Sequence, residues 1–401
     1  MAVMQHKPLI VALLATLASQ SLTSVAVFTP AVLASAASGD IGVPATAIGA
    51  FTALVYFLAS LSAPIGGTFV ARLGAVRVSQ LAMVLTGGGL AVCALAHPAA
   101  VIAGAVLIGM GYGPITPASS VLLVERTPDR MRNLIMSIRQ TGVPVGGAFA
   151  GAVVPWLVIS VGWRGAALAM SGLILLFVVV LQTIRADYDQ VRLMPAVRRP
   201  PLASMLRMVL AHEELRRISF ISFTYAGMQM CFASYLVVFL TENIGLSMIN
   251  AGAALSAAMI AGIVGRVLWG VAADYFGNAR ATLALLGVMM AVCALLMALV
   301  TKAWPFSAVL LLCAVYGASA IGWNGVYIAE IARVAPEGNV AIATGASLAV
   351  TYLGVVVGPF FFWLIVTLTG SYAAAFGLAA VATLAAAISI MRRSPVPPAT
   401  T

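Results

Sequence analysis

Residues 67–77 read GTFVARLGAVR and residues 270–280 read GVAADYFGNAR. Both are glycine, six residues, glycine, two residues, arginine, and each follows the second long apolar run of its half of the chain. The likeness continues outward. AVCALA at 91–96 is matched by AVCALL at 291–296, each in the next apolar run, and Glu125 and Glu330 each close the run after that. The three pairs are related by shifts of 203, 200 and 205 residues in turn. The chain therefore reads as a six-helix unit duplicated in parallel, an arrangement typical of secondary transporters, whose substrate site lies where the repeats meet. The first half is residues 1–184, the second 218–401, and the polar stretch 185–217 joins them.

Composition decides what kind of helix this is. Of 401 residues, 62% are hydrophobic and only 8% charged, against about 25% charged in a soluble domain. A water-soluble fold has nowhere to hide so much apolar surface, so the chain reads as an all-α, polytopic membrane protein. Twelve apolar segments fall at 9–36, 44–70, 78–97, 99–124, 134–160, 165–184, 218–240, 249–272, 281–301, 305–331, 341–368 and 372–391. Their lengths suit spanning helices, which need about 20 residues, and not barrel strands, which need about 10. The first run, with Lys7 before it and ASAAS at 34–38, has some marks of a signal peptide. It is too long for one and is expected to stay as the first span. Cys93, Cys231, Cys293 and Cys313 all lie in apolar runs and are expected to be buried small hydrophobes, with no metal or disulfide role.

The positive charges set an orientation. With the N-terminus inside, seventeen of the 21 Lys and Arg fall on the cytoplasmic side and only Arg164 and Lys302 outside. This asymmetry is the positive-inside signature. It puts both termini and the central stretch in the cytoplasm and accounts for a net charge of +10 without a nucleic-acid partner. The central stretch holds RRPP and seven arginines, and its part SMLRMVLAHEELRRI has the make-up of an amphipathic surface helix.

On these residues the sequence resembles the major facilitator superfamily of transporters, over nearly its whole length. That resemblance implies a G-x-x-x-D-R-x-G-x-[RK] loop after the second helix and a weaker copy after the eighth. Here the first copy is Gly67, Arg72, Gly74 and Arg77, with Ala71 at the acidic position. The second keeps Gly270, Asp274, Gly277 and Arg280. The family's acid helps latch the outward-open state, so its loss at position 71 shifts that work towards Asp274. TGVPVGG at 141–147 partly resembles the family's antiporter motif; its safe reading is close helix packing and a bend.

Two positive charges remain, Arg139 and Arg266, both inside spans. A charge at a helix centre costs roughly 2.5–3.5 kcal/mol or more, which makes each a functional candidate. By the segment limits above, both lie roughly 8–9 Å below the cytoplasmic edge at 1.5 Å per residue. The resemblance makes helices five and eight neighbours across the two halves, so the two guanidinium groups are expected to face one cavity. Two like charges at one depth call for an anion between them, and guanidinium binds carboxylate in a bidentate fashion. Anion-carrying members of the superfamily also place a substrate arginine in helix eight at this spacing from the loop motif. The alternatives are that both arginines snorkel, or that Glu125 or Glu330 pairs with either as a structural latch.

The remaining polar residues near span centres are Gln20, Tyr56, Gln140, Tyr225, Gln229, Trp323, Asn324 and Tyr352. Each is read as a substrate contact or as a bond between helices. Trp156, Trp163 and Trp304 are read as interfacial belt residues. No Asp, Glu or His is placed near a membrane midplane, which disfavours a cation-binding drug antiporter, the chief competing function. The chain lacks His-Glu-x-x-His, Gly-x-Ser-x-Gly and paired intramembrane carboxylates, so no enzyme and no cofactor are expected. The expected partners are a small anionic substrate, a proton in the case of symport, and the lipid bilayer. A monomer in a bacterial inner membrane is expected.

Overall fold

The computed structural model describes residues 2–128, 131–189, 202–335 and 340–391. All regular structure among them is helical: α1 Ala2–Ile41, α2 Ile48–Leu73, α3 Ala75–Cys93, α4 Pro98–Val124, α5 Arg132–Gln140, α6 Gly142–Tyr188, α7 Leu202–Ala211, α8 Glu213–Val238, α9 Met248–Phe276, α10 Ala279–Leu299, α11 Phe306–Gly322, α12 Asn324–Val334, α13 Val340–Thr369 and α14 Tyr372–Met391. Among the described residues eleven helical runs are long and apolar enough to cross a membrane. One of them, Leu134–Tyr188, has 55 residues, nearly three times the roughly 20 that a span needs. It bends at Gly162, whose φ of 74° and ψ of 169° are non-helical. Read as two, it restores the twelve expected spans. RRPP lies outside the described residues, and SMLRMVLAHEELRRI is not one helix but is divided at His212 between α7 and α8.

Two expected spans prove to be broken, each for a local chemical reason. The fifth is split at Thr141, between α5 and α6. Pro144 has no N–H to give the carbonyl of Gln140, so the ladder loses one rung. The Thr141 amide turns back to the Ile138 carbonyl at 3.0 Å, a tighter turn. The tenth is split at Trp323, between α11 and α12, where Gly322 and Gly325 flank the break and lower helix propensity.

Grouped by packing, the chain forms two compact units. The first comprises Met1–Val197, Phe232–Ile260 and Thr301–Leu310, and the second Arg198–Cys231, Ala261–Val300 and Leu311–Thr401. The first unit thus takes in the end of α8 and the start of α9. There Ser35 and Thr241 share a hydrogen bond of 2.8 Å, Ser234 donates to Thr52 at 3.2 Å, and Tyr235 donates to the Thr46 carbonyl at 2.9 Å. In the second unit α9 lies close along α11: a Cβ on Gly265 would stand 2.4 Å from the Ala318 carbonyl oxygen. Small residues at such crossings let backbones approach where lipid supplies no hydrophobic drive. All four cysteines are free and buried. Trp156 is exposed, but Trp163 is buried and its Nε1 donates to Asp40 at 2.9 Å, so it binds its own fold as well as marking a helix end.

Candidate functional site

In the first unit the break after α5 fixes Arg139. The residue lies in the last turn of a nine-residue helix, where the helix dipole favours a cation. It is 1% exposed. Its Nη2 donates to Gln20 Oε1 at 2.6 Å, to Thr116 Oγ1 at 3.3 Å and to the Ile115 carbonyl at 3.5 Å. These three acceptors are neutral. Gln20 Nε2 in turn donates to Ser24 and to the Tyr112 hydroxyl, both at 3.4 Å. The Tyr112 ring meets Tyr56 edge-on, with centroids 5.6 Å apart. Gln20, Tyr56 and Arg139, singled out from sequence, therefore form one buried cluster on α1, α2 and α5, while Gln140 is exposed. Sequence reasoning missed Tyr112 and Thr116 on α4. A signal for Tyr112 existed: Tyr112-Gly113 recurs as Tyr316-Gly317 at the offset of the repeat.

Arg266 belongs to the second unit. It lies ten residues before the end of α9, which runs on to Phe276, about 15 Å along the axis. Its Nε donates to the Ile321 carbonyl at 3.1 Å, and Asn324 Nδ2 reaches the same oxygen at 3.4 Å. Trp269 Nε1 donates to the Ala318 carbonyl at 2.9 Å. All three side chains supply donors to the last turn of α11, where an interrupted helix leaves carbonyls in need of them. Arg266 is half-buried. Arg266 thus donates to the carbonyl end of a broken helix, whereas Arg139 Nη2 donates to α1 and α4.

Nearby, Trp323 Nε1 donates to Gln229 Oε1 at 3.1 Å and its ring stacks edge-on with Tyr225 and Tyr327. Tyr225 donates to the Leu283 carbonyl at 2.8 Å. Tyr327 joins a buried hydroxyl chain through Ser347 and Thr351 to Ser222. Tyr225, Gln229, Trp323 and Asn324 thus bond elements of the second unit to one another. Tyr352 is 46% exposed.

The loop motifs differ between the repeats. In the first, Arg72 is exposed, Arg77 Nη1 reaches Gln80 at 3.4 Å, and Glu125 pairs with Arg126 at 3.1 Å. An acid from elsewhere fills the gap near Ala71: both Asp189 carboxylate oxygens accept backbone N–H groups at the start of α3, from Val76 at 2.7 Å and Arg77 at 2.8 Å. In the second repeat Gly67's counterpart Gly270 lies within α9, Asp274 is exposed, Gly277 has a φ of 60°, and Asn278 caps α10. Glu330, 1% exposed, accepts from Arg280 at 2.6 Å and from Arg333 at 2.5 Å and 2.7 Å. Arg280 also pairs with Glu214. Glu330 is thus occupied by arginines at helix ends, so the alternative in which it latches to an intramembrane arginine gives way to a network within the second repeat.

The family model described as Major Facilitator Superfamily matches residues 11–359 and 218–401. Among curated proteins, the chain is 22% identical over 299 residues to a hexuronate transporter of Bacillus subtilis (strain 168), covering 72% of this chain and 71% of that one. It is 26% identical over 133 residues to the 4-hydroxybenzoate transporter PcaK of Acinetobacter baylyi, covering 33% and 29%. Among solved structures it resembles a bacterial homologue of the human lysosomal transporter Spinster, in an inward-facing and unoccupied conformation (TM-score 0.74, 15% identity, 96% of this chain and 95% of that one). It also resembles a POT family transporter in complex with 5-aminolevulinic acid (TM-score 0.73, 12% identity, 94% and 95%).

Proposed function

Since the chain belongs to the major facilitator superfamily, a family of transporters, and is a multi-pass membrane protein, we propose that it carries a small organic anion, a mono- or dicarboxylate, by alternating access of its two six-helix halves. The observation that carries the substrate class is Arg139: a guanidinium 1% exposed, inside an apolar helical run, whose Nη2 donates to neutral acceptors. A fixed positive charge in low dielectric is a strong site for an anion and a barrier to a cation. The names of two relatives support the class, since hexuronate and 4-hydroxybenzoate are both carboxylates. Arg266, in the second unit, is proposed as a further substrate-binding cation. Proton coupling, a monomeric state and a bacterial inner-membrane location with both termini cytoplasmic belong to the same proposal.

The test is a melting screen in detergent of the wild type, Arg139→Gln and Arg266→Gln against galacturonate, 4-hydroxybenzoate, inorganic anions and lipophilic cations, followed by liposome uptake. A ligand at 100 times its Kd stabilises by about 2.7 kcal/mol. Stabilisation by a carboxylate that either substitution abolishes supports the reading. Stabilisation by lipophilic compounds alone, equal in all three proteins, overturns it in favour of an efflux pump for hydrophobic compounds.

A further inference from the structure

The bond between Gln20 and Arg139 has an unusual balance. The amide oxygen of Gln20 lies 2.6 Å from Arg139 Nη2, while the amide nitrogen of the same group is held by two long bonds of 3.4 Å. Both residues are buried, at 2% and 1% exposure. The stem of the side chain is also confined: a Cβ on Gly142 would stand 2.9 Å from Gln20 Cβ and 3.0 Å from Gln20 Cγ, so the stem, not the amide, is backed by the start of α6. A neutral carbonyl-type oxygen is thus pressed against a buried guanidinium by one strong contact and tethered by two weak ones. Oxygen of this kind is what a carboxylate brings, with the addition of a negative charge and a second oxygen that let it bind guanidinium in a bidentate fashion.

Resting on the anion reading above, we infer that Gln20 is an internal stand-in for the substrate: its Oε1 holds the seat at Arg139 that a substrate carboxylate takes, and the incoming anion displaces it. In the absence of substrate the amide keeps a buried cation bonded, which avoids the cost of an unsatisfied charge. On binding, the ionised carboxylate outcompetes the neutral amide, whose weak bonds to Ser24 and Tyr112 let it swing aside. A charged compound without a carboxylate-like oxygen, or a neutral one, gains no advantage over the amide. Gln20 then sets a threshold of selectivity as well as holding Arg139.

Four variants separate this from a role for Gln20 in merely orienting Arg139: Gln20→Glu, Gln20→Ala, Gln20→Leu and Arg139→Gln. Melting with and without galacturonate and 4-hydroxybenzoate, with chloride as the control, reads affinity for each purified full-length protein. Gln20→Glu puts a permanent carboxylate in the seat. It is expected to melt about 2 °C or more above the wild type without added anion and to lose affinity for the anion by about a hundredfold. Gln20→Ala and Gln20→Leu empty the seat and are expected to bind the anion at least as tightly as the wild type; one of the two suffices if the other misfolds. An anion response lost in Arg139→Gln but kept in Gln20→Glu, or weakened in both apolar variants, overturns the stand-in and leaves the anion reading intact. No anion response in the wild type overturns both.

Discussion

Asp189 shows how much one side chain carries. Its two carboxylate oxygens satisfy two amides at the first turn of α3, and hydrogen bonds to a charged group contribute about 1.5–3 kcal/mol each. Asp189→Ala is therefore expected to lower stability by about 3 kcal/mol or more, with Asp189→Asn intermediate, as read by melting in detergent. Gly74 makes the approach feasible. Its φ is 90°, and a Cβ there would stand 2.3 Å from the Asp189 carboxyl carbon. Gly74→Ala combines backbone strain with a clash, and a loss of about 1–3 kcal/mol is expected. Glu330 is the other test at this scale. It is the common acceptor for Arg280 and Arg333, so Glu330→Gln is expected to lower the melting temperature while leaving anion affinity unchanged. A change in anion affinity would place Glu330 in the substrate or proton path.

Helix breaks organise both arginines, and they were only partly legible in sequence. The bend in TGVPVGG was readable because Pro144 removes a known donor from a known carbonyl. The break at Trp323 was not, because flanking glycines occur in many unbroken membrane helices, and here the carbonyls of α11 are completed by α9 from far away in the chain. The repeat, the span count and the choice of Gln20 and Tyr56 as polar candidates were visible, while Tyr112 and Thr116 on α4 emerged only from packing. Asp189 was hidden because its role depends on where the end of α6 meets α3. Pro144→Ala restores the missing rung and is expected to draw Arg139 away from Gln20. The expected signature is a several-fold rise in the KM for anion uptake in liposomes, with the protein still folded. An unchanged KM would show that the break does not position the arginine.

The repeat reads as symmetric in sequence, yet its cytoplasmic-side motifs are met by different chemistry: an acid at a helix start in one repeat, a four-residue ion network in the other. Packing also does not follow the midpoint of the chain, since Phe232–Ile260 belongs with the first unit. If the halves move as proposed, hydroxyl contacts such as Ser35 with Thr241 must open and close in each cycle. The pair Ser35→Cys with Thr241→Cys is expected to stop anion uptake on oxidation and to recover it on reduction. Uptake that survives complete cross-linking would show that this contact stays closed throughout transport.

The hydroxyls of α1 have a direction as well as a position. Thr16, Ser19, Ser21 and Thr23 each send their proton back to a carbonyl of the same helix, at 2.7–2.9 Å. Having given that proton away, each can offer a visitor only lone pairs. Thr16, Ser19 and Thr23 are buried at 3%, 2% and 0% exposure, so the hydroxyls beside Gln20 settle their protons within α1 and add no donor to the Arg139 cluster.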